Sequence, residues 1–193
     1  MKLKVTALAL SSALVLGACG SNNSTESHSK DSNHSHQQSE SKDTIALNDI
    51  KTDPQEAIDK AQQTYKDENV KEVSFEKEHG EWVYKIDQQN SNKREESEVV
   101  IRDKDKKIVS KEQEKHESNS SDKAFKYEDV KSYKDAIKAG QKKFNGDIKE
   151  WSLSKDDKRN QLVYDMDLKK GKEKHEISVD AKTGEVLSDE RDD

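Results

Sequence analysis

Leu162-Val163-Tyr164-Asp165-Met166-Asp167-Leu168 carries an apolar side chain at every second position. Successive side chains of a β-strand point to opposite faces, so Leu162, Tyr164, Met166 and Leu168 share one face and Asp165 and Asp167 the other. The apolar face is expected in a core and both acids in solvent. Working outward, Trp151 and Leu153 precede this strand with the same period, and Ile177 and Val179 follow it. Val186-Leu187 forms a short last strand after Lys182-Thr183-Gly184, where glycine accepts the positive φ of a tight hairpin.

The same pattern occurs earlier in the chain. Trp82-Val83-Tyr84 matches Leu162-Val163-Tyr164 at an offset of 80, and Ala57-Ile58 and Tyr65 match Ala136-Ile137 and Phe144 at an offset of 79. Val99, Ile101, Ile108 and Val109 match Ile177, Val179, Val186 and Leu187 at an offset of 78. An offset that drifts only in loops is the mark of a duplicated unit. Each copy opens with a helix signal. Asp53 caps the first, with Pro54 at its first position and Glu56 at N3, and Ser132 and Asp135 hold the corresponding places in the second. Ala57, Ile58, Ala61 and Tyr65, or Ala136, Ile137, Gly140 and Phe144, then share one helix face. Short connections favour antiparallel pairing over parallel crossovers. The expected fold class is α+β: two tandem small domains, each one helix packed on an antiparallel β-meander, after a disordered tether.

The first twenty residues give a location. Lys2 and Lys4 precede an apolar stretch from Val5 to Leu16, and Leu16-Gly17-Ala18-Cys19 has the form of a lipobox. The stretch is too short to span roughly 30 Å of hydrocarbon and reads as a signal peptide. Cys19 is the expected lipidation site, its thiol taking a diacylglyceryl group whose two chains anchor the mature protein to the membrane. Cys19 is the single cysteine, which excludes an internal disulfide and a thiolate metal site. Loss of Lys2 and Lys4 takes the formal charge from −6 to −8, and an acidic chain without basic stripes excludes nucleic acid as a partner. Hydrophobic residues make up 28% of the chain, so each folded unit must have a thin core. The expected organisation is signal peptide 1–18, lipidated tether 19–48, first domain 49–114, linker 115–123 and second domain 124–193. The tether from 20 to 43 is almost wholly polar and cannot bury enough surface to offset chain entropy. The Lys-, Asn- and Asp-rich composition suits a low-GC Gram-positive bacterium.

On these residues the two copies resemble the PepSY domain family. The second carries Asp135-Ala136 at the helix start, Leu162-Val163-Tyr164-Asp165-Met166 on a central strand, and the closing run Val179-Asp180-Ala181-Lys182-Thr183-Gly184-Glu185-Val186-Leu187. The first keeps Glu56-Ala57 and Trp82-Val83-Tyr84-Lys85-Ile86, but has Ile101-Arg102-Asp103-Lys104-Asp105-Lys106-Lys107-Ile108-Val109 in place of that run. The Thr-Gly turn is the specific feature it lacks, and the second domain is therefore expected to be the more stable alone. The resemblance implies a non-catalytic extracytoplasmic binding module that restrains or regulates a peptidase or engages another envelope protein. It implies no catalytic residues and no cofactor.

Candidate chemistry is sparse. His28, His34 and His36 lie in the tether, where His34-Ser35-His36 can present two imidazoles to one zinc or copper ion. A metal-scavenging surface lipoprotein is therefore the alternative function, set against a purely solvated tether. His79, His116 and His175 fall in turns or on charged faces and are expected in solvent, and His175-Glu176 does not continue into a zinc-peptidase helix. Asp103-Lys104-Asp105 lacks the glycine and final glutamate of a calcium loop. Trp82 and Trp151 sit in apolar alternations and are expected in the core. No phosphate loop or serine elbow is present. The expected protein is not an enzyme.

Overall fold

A computed structural model describes residues 43–116 and 123–192. Both helices form where the capping signals place them. Helix α1 (Pro54–Thr64) starts at Asp53, whose carboxylate accepts from the Gln55 amide at 3.0 Å while Glu56 accepts from the Asp53 amide at 3.2 Å. Helix α2 (Tyr133–Gln141) starts at Ser132, whose hydroxyl oxygen accepts from the Asp135 amide. Each buries one stripe: Ala57, Ile58 and Ala61, or Tyr133, Ala136, Ile137 and Gly140. Gly140 stands where the first copy has Ala61, because a Cβ there would lie 2.6 Å from the Met166 sulfur.

Eight strands follow in two runs of four: β1 (Asn69–Glu78), β2 (Glu81–Asn90), β3 (Glu95–Arg102) and β4 (Ile108–Lys115), then β5 (Asp147–Asp156), β6 (Gln161–Lys170), β7 (Glu173–Asp180) and β8 (Val186–Asp192). All neighbours are antiparallel, as the short loops require. The closing strands are longer than the two apolar residues that announced them, because a strand at an edge needs no apolar face to pair. Diverged turns keep one shape. In the second copy the Asp180 amide donates to the Glu185 carbonyl and the Gly184 amide to Asp180, and in the first Arg102 and Lys107, then Lys106 and Arg102, do the same, all at 2.8 Å. Lys106 holds φ at +59° where Gly184 has +76°.

The two copies do not stand apart as separate small domains. Strands β1 and β5 pair with each other, giving one eight-stranded sheet in the order β4-β3-β2-β1-β5-β6-β7-β8. The first strand of each meander has one free edge, and the two free edges satisfy one another. At this seam Phe75 faces Trp151 and Val73 faces Leu153, and one core cluster runs under both helices. Trp151, 2% exposed, has Tyr133 stacked on it at 5.5 Å, Phe75 at 6.2 Å, and Tyr84 and Tyr164 edge-on at 6.1 and 6.0 Å.

The segments leading into the helices cross the seam as well. Ile45 and Ile148 exchange both main-chain hydrogen bonds at 2.8 and 2.9 Å, and the Phe125 amide donates to Val70 at 2.9 Å. These are equivalent contacts under the duplication, each copy's lead-in resting on the other copy's inner strand. Ile45 and Leu47 are thus core residues, although their polar surroundings had placed them at the end of the tether. Lys115, placed in the linker, closes β4. Inside the core the Tyr84 hydroxyl donates to the Thr52 carbonyl and the Tyr164 hydroxyl to that of Lys131, both at 2.7 Å, which ties each central strand to the residue before its helix cap. Burial pushes both phenols far above their ordinary pKa, so they stay protonated donors.

Candidate interaction surfaces

One face of the sheet is covered by the helices and the other by none. Along β1, β2, β3 and β4 the helix-free face carries Glu72, Asp87, Glu98 and Glu112, each directly opposite the next. Along β5, β6, β7 and β8 it carries Glu150, Asp167, Glu176 and Glu190, again directly opposite one another. Like charges in that arrangement destabilise a sheet. The two rows are equivalent under the duplication, at offsets of 78, 80, 78 and 78. The alternation showed which way these acids point, but their alignment into rows needs the register. Comparison of the outward-facing positions of the two copies would have found it.

Two lysines counter the centre of the row in the second copy. Lys174 reaches Asp167 at 2.7 Å, Asp192 at 3.0 Å and Glu176 at 3.5 Å, and Lys149 lies 3.7 Å from Asp167. Asp167 is only 3% exposed, which corrects its expected place in solvent: the lysine stems lie over the sheet and cover it. Asp165 is also partly covered, accepting from the Ser178 hydroxyl at 2.5 Å, and burial raises its pKa. Burial, then the Asp167 carboxylate beside it, raises that of Glu150.

The sheet's outer edges differ from its covered interior. Every residue of β4 is exposed, and Ile108 and Val109, 42% and 44% exposed, are the large apolar side chains left in solvent among the described residues. Strand β4 pairs with β3 alone, so its other side presents main-chain donors and acceptors to solvent. Lys111, Glu112, Glu114 and Lys115 line it with charge of both signs.

Of the histidines, His79 is exposed in the β1–β2 turn, as expected, and His116 lies 3.5 Å from Glu96. His175 is not in open solvent. It stacks on Phe144 with ring centroids 4.0 Å apart, and its Nδ1 is 2.6 Å from Asp189. The stack explains why Phe144, beyond the end of α2, still packs against the core. Asp103 is buried and accepts from the Lys51 and Thr52 amides at 3.0 and 2.8 Å, a fastening and not an ion loop. Trp151 is in the core, while Trp82 stacks on Phe75 at its margin. Cys19, His28, His34 and His36 lie outside the described residues. Among the described residues no three His, Cys, Asp or Glu side chains are grouped to hold a metal, and no helix is long and apolar enough to cross a membrane.

These features define a duplicated helix-and-meander sheet module whose chemistry is spread along open strands. The chain belongs to the PepSY family, peptidase propeptide and YPEB domain, whose model matches residues 51–101 and 130–190. The match falls on both copies, the diverged first one included. A solved structure, that of a candidate lipoprotein from Clostridium difficile 630, is 26% identical with a TM-score of 0.68, and the similarity covers 78% of this chain and 99% of that one. No curated protein matches the chain.

Proposed function

We propose that the protein is a non-catalytic, extracytoplasmic binding module, held to the membrane by lipid at Cys19, that restrains or regulates a peptidase or engages another envelope protein. The observation that carries this reading is an exposed edge strand, β4, on a chain of a family named for peptidase propeptides. An extended segment of a partner can add to such an edge through main-chain hydrogen bonds, with Ile108 and Val109 as apolar contacts. The lipobox, and similarity to a structure described as that of a candidate lipoprotein, support the anchor. Residues 20–43 carry no apolar side chain with which to offset the roughly 2–5 kcal/mol that ordering a segment on binding typically takes.

The test is titration of a partner recovered from envelope extracts against three forms of the chain: mature, lacking residues 20–43, and Ile108→Lys/Val109→Lys. The tether deletion should leave affinity within about twofold. The edge variant should lower it by about tenfold or more, the scale of losing a central apolar contact. Loss on tether deletion alone, with the edge variant unaffected, would contradict the reading in favour of metal capture by His28, His34 and His36.

A further inference from the structure

The two acid rows occupy equivalent places on one sheet, but one substitution divides them. Lys174, which pairs with Asp167 and Glu176 of the second row, corresponds to Glu96 in the first. Lys149 corresponds to Lys71, which pairs with Glu96 at 2.5 Å and acts on Glu72 and Asp87 from beyond ion-pair distance. Lys85, the next lysine along β2, is held by Glu76 and lies 3.8 Å from Glu78. Among the described residues, neither Glu72, Asp87 nor Glu98 forms an ion pair within 4 Å. Asp87 is thus faced by Glu72 from β1 and Glu98 from β3, with Glu96 and the engaged Lys71 and Lys85 as its other charged neighbours. Glu112 extends the row on β4; around Glu72, Lys71 and Lys123 counter its charge, while Asp165 across the seam and Glu76 add to it.

We infer that the Glu72–Asp87–Glu98 row is a proton-operated clasp, which loosens the first copy's half of the sheet at neutral pH and tightens it on mild acidification, while Lys174 keeps the Asp167–Glu176 pair of the second copy's row closed at both. A fixed lysine does in one copy what a proton does in the other. Burial, then the Glu72 carboxylate opposite, pushes the Asp87 pKa up to about 6, and burial raises those of Glu72 and Glu98 as well. An acid whose folded-state pKa exceeds its unfolded value of about 3.9 contributes stability that is complete below the unfolded pKa and lost as pH rises through the folded one. The response therefore lies between about pH 4 and 7. The carboxylates with lowered pKa, among them Glu56, Asp67, Glu81 and Asp180, act in the opposite sense and at lower pH, while Glu150 and Asp165, raised by burial, add a smaller response of the same sense in the second copy. Strands β3 and β4 are the outer half of the first copy, so the clasp sets the firmness of the edge strand on which the proposed binding depends. The clasp itself rests on the row's geometry and would stand if that binding were disproved.

The experiment uses the full mature chain and reads urea midpoints at pH 5.5 and 7.5, together with the NMR titration of the Asp87 side-chain carboxyl. Wild type should be more resistant at pH 5.5, with Asp87 titrating near 6. Glu96→Lys, which gives the first row the lysine of the second, should raise the midpoint at pH 7.5 and narrow the difference, leaving the part that Glu150 and Asp165 contribute. It should also lower the Asp87 titration by about one pH unit or more, as an added cation within reach does. Lys174→Glu should enlarge the second copy's own pH response. His116 contacts Glu96, and imidazoles titrate in the same range, so the series is repeated in His116→Gln, where the response should persist. If Glu96→Lys fails to fold, Asp87→Asn serves in its place and should likewise flatten the profile. Titration of Asp87 near the ordinary carboxylate value, or a pH difference unchanged in the variants or lost with His116 alone, would overturn the inference.

Discussion

Replacing Trp151 with alanine is expected to unfold both copies together. The indole is 2% exposed, faces Phe75 across the β1–β5 seam, and packs against Tyr84 of the first copy and Tyr133 and Tyr164 of its own. Truncating a buried Trp to Ala costs about 3–5 kcal/mol, because the cavity it leaves collapses only in part. Domains of this size have about 5–15 kcal/mol in all, so the loss removes a large share of the total. Trp151→Phe should cost less, since the indole Nε1 is buried without a hydrogen-bond partner and a phenyl ring leaves no donor unpaired. Urea midpoints of the mature chain measure both. A Trp151→Ala midpoint close to wild type, or loss of structure confined to residues 123–192, would contradict the shared core.

Asp103→Ala is expected to have the next largest effect. Its carboxylate is 4% exposed and accepts from the Lys51 and Thr52 amides, while its carbonyl accepts from the Thr52 hydroxyl at 2.5 Å and its amide donates to Trp82 at 2.9 Å. Alanine strands two amide donors that the carboxylate now satisfies, at a cost of about 2–4 kcal/mol for hydrogen bonds to a charged acceptor. Asp103→Asn keeps one acceptor oxygen and should lose roughly half as much. The second copy has Ala181 at this place, whose carbonyl accepts from the Lys131 amide at 2.8 Å with no side-chain acceptor beside it. Thermal and urea unfolding give the cost. A change of less than about 0.5 kcal/mol, the range of surface substitutions away from such contacts, would show that the fastening is idle.

Both residues mark where reading the sequence stops. The alternation of Trp151 and Leu153 gave their strand and its buried face, and the capping residues gave both helices, because these are local properties of the chain. Which strand lies beside β5 is not local. Period two shows the face of a strand and says nothing about its edges, so two meanders and one fused sheet have the same pattern. Ile45 and Leu47 escaped notice for a related reason: two apolar residues beside a polar stretch become core only when Ile148 is there to pair with. Asp167 was expected in solvent because it lies opposite the apolar face of its strand, but long lysine stems can cover a sheet. The charged turn from Asp103 to Lys107 looked like divergence that would weaken the first copy. It keeps the second copy's hydrogen bonds and adds the Asp103 fastening, so with one core under both copies separate stabilities lose their meaning. At the candidate surface, Ile108-Val109 announced only the start of the edge strand, whose polar remainder has no periodic signal. The acid rows were present in the outward positions of each copy but take their alignment from the register.

Urea unfolding of the mature chain, followed amide by amide in two-dimensional NMR spectra, tests the fused sheet most directly. Val73 and Val99 report on the first copy, and Ile177 and Val179 on the second. All four are predicted to lose their native signals at one midpoint and with one slope, as a single cooperative unit does. Two separate transitions, with the first copy's amides disappearing while the second copy's persist, would contradict it.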